Sequence, residues 1–279
     1  MKLSVVVCVR NEEKRLRECL QTVYANHPEE VIVVDGGSTD KTVSIAREFP
    51  GIRIIESPRS NLTRDRQKGI DAARNELVAM IDADHRLRPG DLASLEKDMR
   101  EYNLDIVAGG LISYNNQGFW NRGEEAWWEL AVNNPLGART MITTAPAIYK
   151  KRVFDHVRFD DTVTATVDDT DFMYRLSKFP FLRIGVGATK IRQYHFATLR
   201  SYVRKFLLYG KGDGEFCRKH PNRAPSMFFH LLIRYPIVYS WKAIRAGKLY
   251  AIPFFVLQGS VRFIGLAGYF LRVAQRSIF

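Results

Sequence analysis

The first third of the chain is organised by short apolar runs, each followed at once by polar or acidic residues. The four runs occupy residues 3–9, 31–34, 52–55 and 77–81. Continuous apolar runs of this length are typical of strands that are buried on both faces of a sheet. Apolar residues recur at helical spacing between the first two runs, at Leu16, Leu20 and Val23. This alternation predicts an α/β fold with a mostly parallel central sheet flanked by helices.

Two of these runs end in acids. Asp35 follows the second run, and Asp82 and Asp84 follow the fourth. Parallel strands bring their carboxyl ends to one edge of the sheet, which is where open α/β sheets bind ligands. Close carboxylates repel each other unless a cation or a proton lies between them, and such oxygens suit Mg²⁺ or Mn²⁺. Asp-x-Asp alone is a common turn sequence, but together with Asp35 it favours a nucleotide pocket.

Charge divides the chain into two unequal parts. The formal net charge is +12, yet residues 1–199 contain 28 basic and 28 acidic side chains. Residues 200–279 contain 14 basic and 2 acidic side chains, so the whole excess lies there. Such a region could bind anionic lipid, nucleic acid or a phosphate-bearing substrate.

The three cysteines and the first residues bear on the compartment. Cys8, Cys19 and Cys217 form no CxxC pair and no metal-ligand spacing. An odd and sparse set of this kind disfavours a disulfide framework and favours a reducing compartment. Residues 3–9 resemble a strand rather than a secretory signal, because charged residues follow them directly.

Three motifs occur together in the order and at the intervals of one enzyme family. They are Ser-Val-Val-Val-Cys-Val-Arg-Asn-Glu-Glu at residues 4–13, Val-Val-Asp-Gly-Gly-Ser-Thr-Asp-Lys-Thr at 33–42, and Ile-Asp-Ala-Asp at 81–84. On these motifs, residues 3–110 resemble the donor half of a family 2 glycosyltransferase, an inverting enzyme with the GT-A fold. The resemblance implies a nucleotide diphosphate sugar as donor and a divalent metal, Mg or Mn, as cofactor.

The same resemblance implies a set of donor-binding residues. They are Val9, Asn11, Glu12, Asp35, Arg66, Asp82, Ala83 and Asp84. Asp84 would also bind the metal. Arg66 stands where the family often has Arg-Asn-x-Gly, and Gln67 departs from that pattern. His85 occupies a position where many members have Asp, which leaves its role open.

A second group of acids lies at residues 167–176, before apolar positions at helical spacing. Acids favour the first turn of a helix because the helix dipole is positive there, and this structural interpretation accounts for at least one of them. The family has Glu-Asp-x-Asp-Leu-x-x-Arg-Leu here, so the resemblance implies Asp169 as the base that takes the acceptor hydroxyl proton. Asp168 and Asp171 would position the acceptor or cap the helix.

Further residues follow from the resemblance or from their side chains. His195 falls where many members have a metal-site histidine, and Arg204 and Lys211 fall in a segment that closes over the donor phosphates in the family. Trp127 and Trp128 are candidate acceptor contacts because indoles stack on sugar rings. Core packing is an equal alternative for both indoles.

We expect a glycosyltransferase domain at residues 1–220, with a nucleotide-sugar half at 1–110 and an acceptor half at 111–220. Residues 221–279 form a basic, aromatic and helical C-terminal region. One apolar segment of this region, residues 249–273, is long enough to span a bilayer, but Arg262 in its middle would be costly there. Interleaved aromatic and basic residues are typical of interfacial helices. The sequence therefore predicts a peripheral location at the cytoplasmic face of the cell membrane, with a soluble helical cap as the alternative.

The predicted function is transfer of a sugar from a UDP- or GDP-linked donor, with metal and with inversion, to an acceptor that is lipid-linked or a glycan. A nucleotidyltransferase of similar fold is one alternative, although such enzymes usually carry a glycine-rich basic loop where this chain has residues 10–13. A non-catalytic membrane or nucleic-acid binder is another, but it leaves the acids unexplained. We expect no nucleic-acid partner.

Overall fold

A computed structural model of the chain describes residues 2–114, 118–133, 136–139, 141–163, 166–194 and 198–276. The strands are β1 (Leu3–Val9), β2 (Glu30–Asp35), β3 (Arg53–Glu56), β4 (Leu77–Met80), β5 (His85–Arg86), β6 (Ile106–Ser113), β7 (Gly137–Arg139), β8 (Ala147–Lys150) and β9 (Ile184–Gln193). They form one sheet in the order β3-β2-β1-β4-β8-β6-β9-β5, with β7 paired to β9.

Helices connect most of the strands and continue beyond the sheet. They are α1 (Leu16–Tyr24), α2 (Thr42–Arg47), α3 (Leu62–Ala72), α4 (Asp91–Glu101), α5 (Phe119–Trp127), α6 (Asp168–Leu176), α7 (Leu199–Lys219), α8 (Ala224–Phe229), α9 (Ser240–Arg245) and α10 (Ile252–Arg276). Two π-helical segments, Trp128–Val132 and His230–Tyr239, continue α5 and α8. Single 3-10 turns lie at Lys151–Asp155, Pro221–Arg223 and Leu249–Ala251.

The four apolar runs form the parallel half of the sheet. β1 pairs in parallel with β2 and β4, and β2 pairs in parallel with β3. Antiparallel pairing begins with β8, which lies between β4 and β6. The predicted α/β architecture with helices around a central sheet is confirmed.

Strand register brings the predicted acids to one edge. Val9, the last residue of β1, is paired with Asp35, the last residue of β2. β4 ends at Met80, so Asp82 and Asp84 leave the sheet from the neighbouring strand. The strands are held in place by alternate residues on opposite faces: Val5 and Val7 belong to one buried cluster, and Val6 to the other.

The chain divides into two compact units that interleave in sequence. The first comprises residues 1–114, 135–164 and 168–194, and the second comprises residues 115–134, 165–167 and 195–279. The predicted boundary at residue 220 therefore does not coincide with the structural division. α5 and α7 belong to the second unit because both pack against α10.

Glycines allow α7 and α10 to pack at close range. A Cβ on Gly210 would collide with the carbonyl oxygen of Arg262, and one on Gly265 would collide with that of Leu207. Arg262 itself donates two hydrogen bonds to the buried carboxylate of Asp213, at 2.8 and 2.6 Å. Its charge is thus neutralised within the second unit.

One helix among the described residues is long and apolar enough to cross a membrane. It covers 25 residues, Leu249–Val273, with a hydropathy of 1.5, and 39% of its most apolar 18-residue window is buried inside the structure. Length and composition alone give this result, and the Arg262–Asp213 pair shows that the helix also has a packed, polar face within its own unit.

We expect Gly265→Ala and Gly268→Ala to have opposite effects on stability. The Gly265 methyl group would meet backbone of α7 and should destabilise the protein by about 1–3 kcal/mol, as overpacking does. Gly268 has open space around its Cβ position, and alanine there should stabilise by about 0.5–1 kcal/mol through helix propensity. Denaturant unfolding measures both, and equal effects would show that α7 and α10 do not pack this closely.

Candidate active site

The end of β2 forms a tight turn around a buried carboxylate. Asp35 is 4% exposed and accepts hydrogen bonds from the backbone N–H groups of Gly37 (3.1 Å) and Ser38 (3.0 Å) and from the Ser38 hydroxyl. The loop after β1 joins this turn, because Asn11 Oδ1 accepts from Thr39 N at 2.9 Å. The two motifs of the donor half therefore form one hydrogen-bonded surface.

A buried arginine connects the acids that follow β4 with the second group of acids, at residues 167–176. Arg66, in α3, is 4% exposed and donates through Nη2 to Asp82 Oδ1 at 3.3 Å. Its Nη1 donates to Asp168 at the start of α6 and to the buried hydroxyl of Thr144 at 2.8 Å. Burial disfavours the charge on Arg66, but Asp168 and then Asp82 outweigh it and raise its pKa.

Asp84 has the properties of a metal ligand. Its Oδ2 accepts from Gln193 Nε2 at 3.0 Å, while its buried Oδ1 accepts no hydrogen bond from the described residues. One ligand atom from each of Asp82, Asp84 and His85 lies within 4.8 Å of the others. An orphaned oxygen among hard oxygen donors fits Mg²⁺ or Mn²⁺.

His85 contributes differently from the two carboxylates. Its Nδ1 accepts the backbone N–H of Asp82 at 3.1 Å, and its Nε2 lies 3.9 Å from Asp84 Oδ1. A neutral imidazole that accepts at Nδ1 carries its proton on Nε2. In this tautomer the buried ring orients the loop and faces Asp84 with a proton, so the two carboxylates are the better ligands.

The side chain of Arg86 holds the same loop through hydrogen bonds to the loop's backbone. Its Nη1 donates to the carbonyl oxygens of Ala83 (2.8 Å) and His85 (2.7 Å), and its Nε pairs with Glu18 at 2.9 Å. The guanidinium also lies over the ring of Tyr194, 4.8 Å from its centroid. This buried cation fixes the conformation from which Asp82 and Asp84 project.

Asp169 is the half-buried carboxylate next to the Arg66–Asp168 pair. Its Oδ1 accepts from the backbone N–H and the hydroxyl of Thr170, at 2.6 and 3.2 Å. The described residues give Oδ2 no hydrogen bond. Burial, followed by the charge of Asp168, raises the pKa of Asp169 to about 6.

Several predicted acceptor residues have other partners. Asp168 is buried against Arg66, and Asp171 is 1% exposed and pairs with Arg175 at 2.8 Å. Their carboxylates therefore have partners within the first unit, and their predicted contact with the acceptor stays a prediction. Trp128 is 3% exposed, and its predicted contact with the acceptor also stays a prediction.

The remaining predicted residues belong to the second unit. Trp127 is half-buried and stacks on Tyr235 with ring centroids 6.5 Å apart. Arg204 and Lys211 are exposed, two turns apart on α7. His195 lies outside the described residues. The roles implied for Trp127, Arg204, Lys211 and His195 stay predictions.

Some site residues were not found from the sequence. Thr144 and Arg86 carry no motif, and their roles follow only from the contacts with Arg66 and with the loop of Asp82 and Asp84. Asp65 directly precedes Arg66 in the sequence but belongs to none of the three motifs. Its burial could not be derived from that position.

Fold and site together define the class. A parallel β3-β2-β1-β4 group with Asp35, Asp82 and Asp84 after its strand ends, continued by a mixed half and α6, is the GT-A arrangement of nucleotide-sugar transferases. The sequence model of glycosyl transferase family 2 matches residues 4–158, which is more than half of the chain. The chain belongs to this family.

Individual relatives agree with this assignment. The chain is 28% identical over 181 residues to glycosyltransferase GlyA of Streptococcus pneumoniae, covering 57% of this chain and 26% of that protein. It is 36% identical over 120 residues to the dodecaprenyl-phosphate galacturonate synthase of Rhizobium johnstonii, covering 39% and 36%. The chain thus spans about a third or less of these two relatives.

Solved structures show the same fold. S. aureus TarS 1–349 in complex with UDP-GlcNAc aligns with a TM-score of 0.57 at 16% identity, covering 99% of this chain and 92% of that one. The complex of the same TarS fragment with UDP aligns with a TM-score of 0.57 at 18% identity and the same coverage. At this identity the likeness concerns the fold alone.

We expect Arg86→Lys to weaken Mn²⁺ binding measured in the presence of UDP or GDP. Lysine has one nitrogen, which cannot contact the carbonyl oxygens of Ala83 and His85, the carbonyl oxygen of Arg15 and the carboxylate of Glu18 together, so the loop of Asp82 and Asp84 loses support. Loss of such support typically costs about 10–100-fold in metal affinity. Titration calorimetry measures it, with Arg88→Lys as the matched control because Arg88 is exposed and pairs with Asp91. A lower melting temperature with unchanged Mn²⁺ affinity would restrict Arg86 to a structural role.

Proposed function

We propose that the chain is an inverting, metal-dependent glycosyltransferase that moves a sugar from a UDP- or GDP-linked donor to an acceptor hydroxyl. The observation that carries the proposal is the buried Arg66, whose guanidinium contacts Asp82 of the donor loop and Asp168 next to Asp169. The donor acids and the candidate base thereby belong to one connected group of side chains. A non-catalytic binder has no need for this connection.

Each residue then has a defined task. Asp82 and Asp84 would hold the divalent ion, which neutralises the charge that develops on the departing nucleotide diphosphate. Arg66 keeps the carboxylates of the two motifs at a fixed separation. The turn of Asp35 and the loop at Asn11 and Glu12 would form the surface for base and ribose.

Asp169 has the properties of the base. Its pKa of about 6 leaves it ionised at neutral pH yet basic enough to accept a proton. The hydrogen bonds from Thr170 fix Oδ1, so Oδ2 is the oxygen that can accept the proton of the acceptor hydroxyl. Transfer to an acceptor that is already a phosphate anion would need no such base.

The donor proposal is tested by screening UDP- and GDP-sugars for hydrolysis with Mn²⁺, Mg²⁺ and EDTA. Glycosyltransferases often leak donor to water, so the cognate donor should release its nucleotide diphosphate in a metal-dependent manner. Thermal stabilisation by UDP or GDP is a second readout that needs no turnover. The absence of both hydrolysis and thermal stabilisation with every nucleotide tested would contradict the proposal.

We expect Asp169→Asn to reduce kcat/KM by about 10²–10⁴ with a hydroxyl acceptor, because an amide cannot take the proton. In the unmodified protein, activity should rise with pH through about 6 and fall about tenfold per pH unit below it, since only the ionised carboxylate is a base. Asp161→Asn serves as control, because Asp161 is exposed and pairs with Arg64. A small effect at position 169 would indicate a phosphate acceptor instead.

We also propose that the protein lies on the cytoplasmic membrane surface and uses a lipid-linked acceptor. The name of the Rhizobium relative, a dodecaprenyl-phosphate galacturonate synthase, supports a lipid-linked acceptor. The surface of the second unit supports the location, because the helical segment from α8 to α9 is apolar on both sides.

The inner side of this segment is a buried row at every fourth position. It consists of Met227, Leu231, Tyr235, Tyr239 and Ala243. The outer side is also apolar, although soluble helices normally place polar residues there. This outer row, which we call the exposed apolar row, consists of Phe229, Ile233, Ile237, Trp241 and Ile244, between 38% and 58% exposed.

Exposed cations flank the apolar row. They are Arg223, Arg234, Lys242 and Arg245, and Arg245 lies over the Trp241 ring, 4.2 Å from its centroid. Each cation near an anionic bilayer contributes about 1 kcal/mol, and the apolar side chains add the transfer of their surface from water. An interfacial position with this row in the headgroup region satisfies both.

We expect the double variant Ile237→Gln, Trp241→Gln to lose at least tenfold in binding to vesicles that contain phosphatidylglycerol. The unmodified protein should bind these vesicles more tightly than phosphatidylcholine vesicles, and high salt should weaken the binding. Phe181→Gln is the control, because Phe181 is 61% exposed and belongs to the first unit. Equal vesicle binding by the double variant and the unmodified protein would remove this surface from the proposal.

A further inference from the structure

A carboxylate on α1 connects three separate strand ends of the first unit. Glu18 Oε1 accepts a hydrogen bond from the hydroxyl of Tyr114 at 2.5 Å, and its Oε2 accepts from the hydroxyl of Tyr194 at 3.0 Å. The same Oε2 lies 2.9 Å from Nε of Arg86. Arg86 is the last residue of β5, whereas Tyr114 and Tyr194 directly follow β6 and β9. One side chain therefore holds the ends of these strands together.

The rings of the two tyrosines belong to the same cluster. Their centroids are 4.5 Å apart, and the guanidinium of Arg86 lies 4.8 Å from the Tyr194 centroid and 5.9 Å from the Tyr114 centroid. Arg86 is 2% exposed, and a buried charge is costly unless it is paired. Glu18 supplies the negative charge that allows Arg86 to stay enclosed beside the two rings.

Two members of this cluster hold the loop of the candidate metal ligands. Arg86 donates to two carbonyl oxygens of that loop, and the backbone N–H of Tyr194 donates to the carbonyl oxygen of Asp84 at 3.0 Å. Gln193 precedes Tyr194 and donates to Asp84 Oδ2 at 3.0 Å. The end of β9 thus holds Asp84 by backbone and by side chain, and Glu18 fixes that end through Tyr194.

The two tyrosines also occupy particular places in the chain. Tyr114 and Tyr194 are each the last residue of a segment of the first unit, and the chain enters the second unit directly after each of them. The backbone N–H of Tyr114 donates to the carbonyl oxygen of Gln193 at 2.9 Å, so the two exits lie side by side. Glu18 therefore connects both exits with the loop of Asp84.

We propose that Glu18 is a positioning residue for the metal-binding carboxylates, because it fastens the loop of Asp82 and Asp84 to the two tyrosines at which the chain leaves the first unit. Groups that orient metal ligands in this way contribute to metal affinity. Since coupling between sites is reciprocal, an ion bound at the loop should in turn stabilise both tyrosines. The inference rests on the proposed function only in that a divalent ion binds at this loop.

Calorimetric titration of the full chain with Mn²⁺ in the presence of UDP or GDP tests this role. Glu18→Gln removes the negative charge next to Arg86 and replaces one acceptor oxygen with an amide donor, so we expect the Mn²⁺ affinity to fall by about 10–100-fold. Glu48→Gln is the matched control, because Glu48 also pairs with an arginine, Arg17 of α1, but at an exposed position. This control should leave the affinity unchanged.

Hydrogen exchange adds a readout that a merely stabilising residue would not change. In the unmodified protein, saturating Mn²⁺ with the nucleotide should slow exchange of the backbone N–H groups of Tyr114 and Tyr194. In Glu18→Gln the N–H of Tyr194 should still respond, because it donates directly to Asp84. The response at Tyr114 should be largely lost, and an undiminished response there would overturn the inference.

A second variant keeps the charges and removes only the hydroxyl groups. The double variant Tyr114→Phe, Tyr194→Phe retains the pair of Glu18 with Arg86 and should also lose Mn²⁺ affinity, so it decides the question where Glu18→Gln does not fold. Unchanged affinity in either folded variant, whatever its melting temperature, would overturn the inference and leave the proposed function standing. Absence of Mn²⁺ binding by the unmodified, folded protein with either nucleotide would overturn the proposed metal dependence together with the inference.

Discussion

The site depends on one buried cation. Arg66 is almost fully enclosed; Asp168 and Asp82 balance its charge, and the hydroxyl of Thr144 accepts a further hydrogen bond from it. Removing one partner of a buried ion pair leaves a charge without compensation, at a cost of about 3–5 kcal/mol. The strand end of β4, the start of α6 and the segment before β8 are therefore held together by a single side chain. This constraint fixes the separation of the donor acids from Asp169 before any substrate is present.

The acids around this cation differ because their surroundings differ. Asp35 accepts hydrogen bonds within its own turn, and Asp168 forms an ion pair with Arg66, so both carboxylates stabilise the conformation of the site. Asp84 and Asp169 each have one oxygen fixed by a neighbour and one oxygen without a hydrogen bond from the described residues. A carboxylate with one oxygen fixed and the other without a hydrogen bond is suited to binding an ion or taking a proton, since its orientation is already set. All four residues are aspartates, so the differences between them come from their hydrogen-bond partners and not from residue type.

The sequence predicted the parts of this arrangement that depend on short-range pattern. The runs at β1, β2 and β4 are buried on both faces, so their apolar continuity predicted strands, and strand direction predicted that Asp35 and Asp82 share an edge. Long-range pairing left no such pattern. Nothing in the spacing showed that Asp168 would face Arg66, 102 positions away, or that α5 and α7 would pack with α10. The sequence also did not show that α7 and α10 would belong to one compact unit, because their close packing through Gly210 and Gly265 joins distant segments.

The basic residues of the second unit lie in different surroundings. Residues 200–279 contain 14 basic and 2 acidic side chains, and some of these cations are paired inside the unit while others are exposed. Arg262, the cation in the most apolar helix, is neutralised by Asp213 inside the unit, so it does not face lipid as a bare charge. The exposed apolar row lies instead on the α8–α9 segment, where the exposed cations Arg234, Lys242 and Arg245 also lie. A helix that spans a bilayer needs apolar residues all round, whereas this segment buries one row and exposes another between cations. The proposed position on a membrane surface uses the exposed side of α8 and α9, whereas α10 packs against α7.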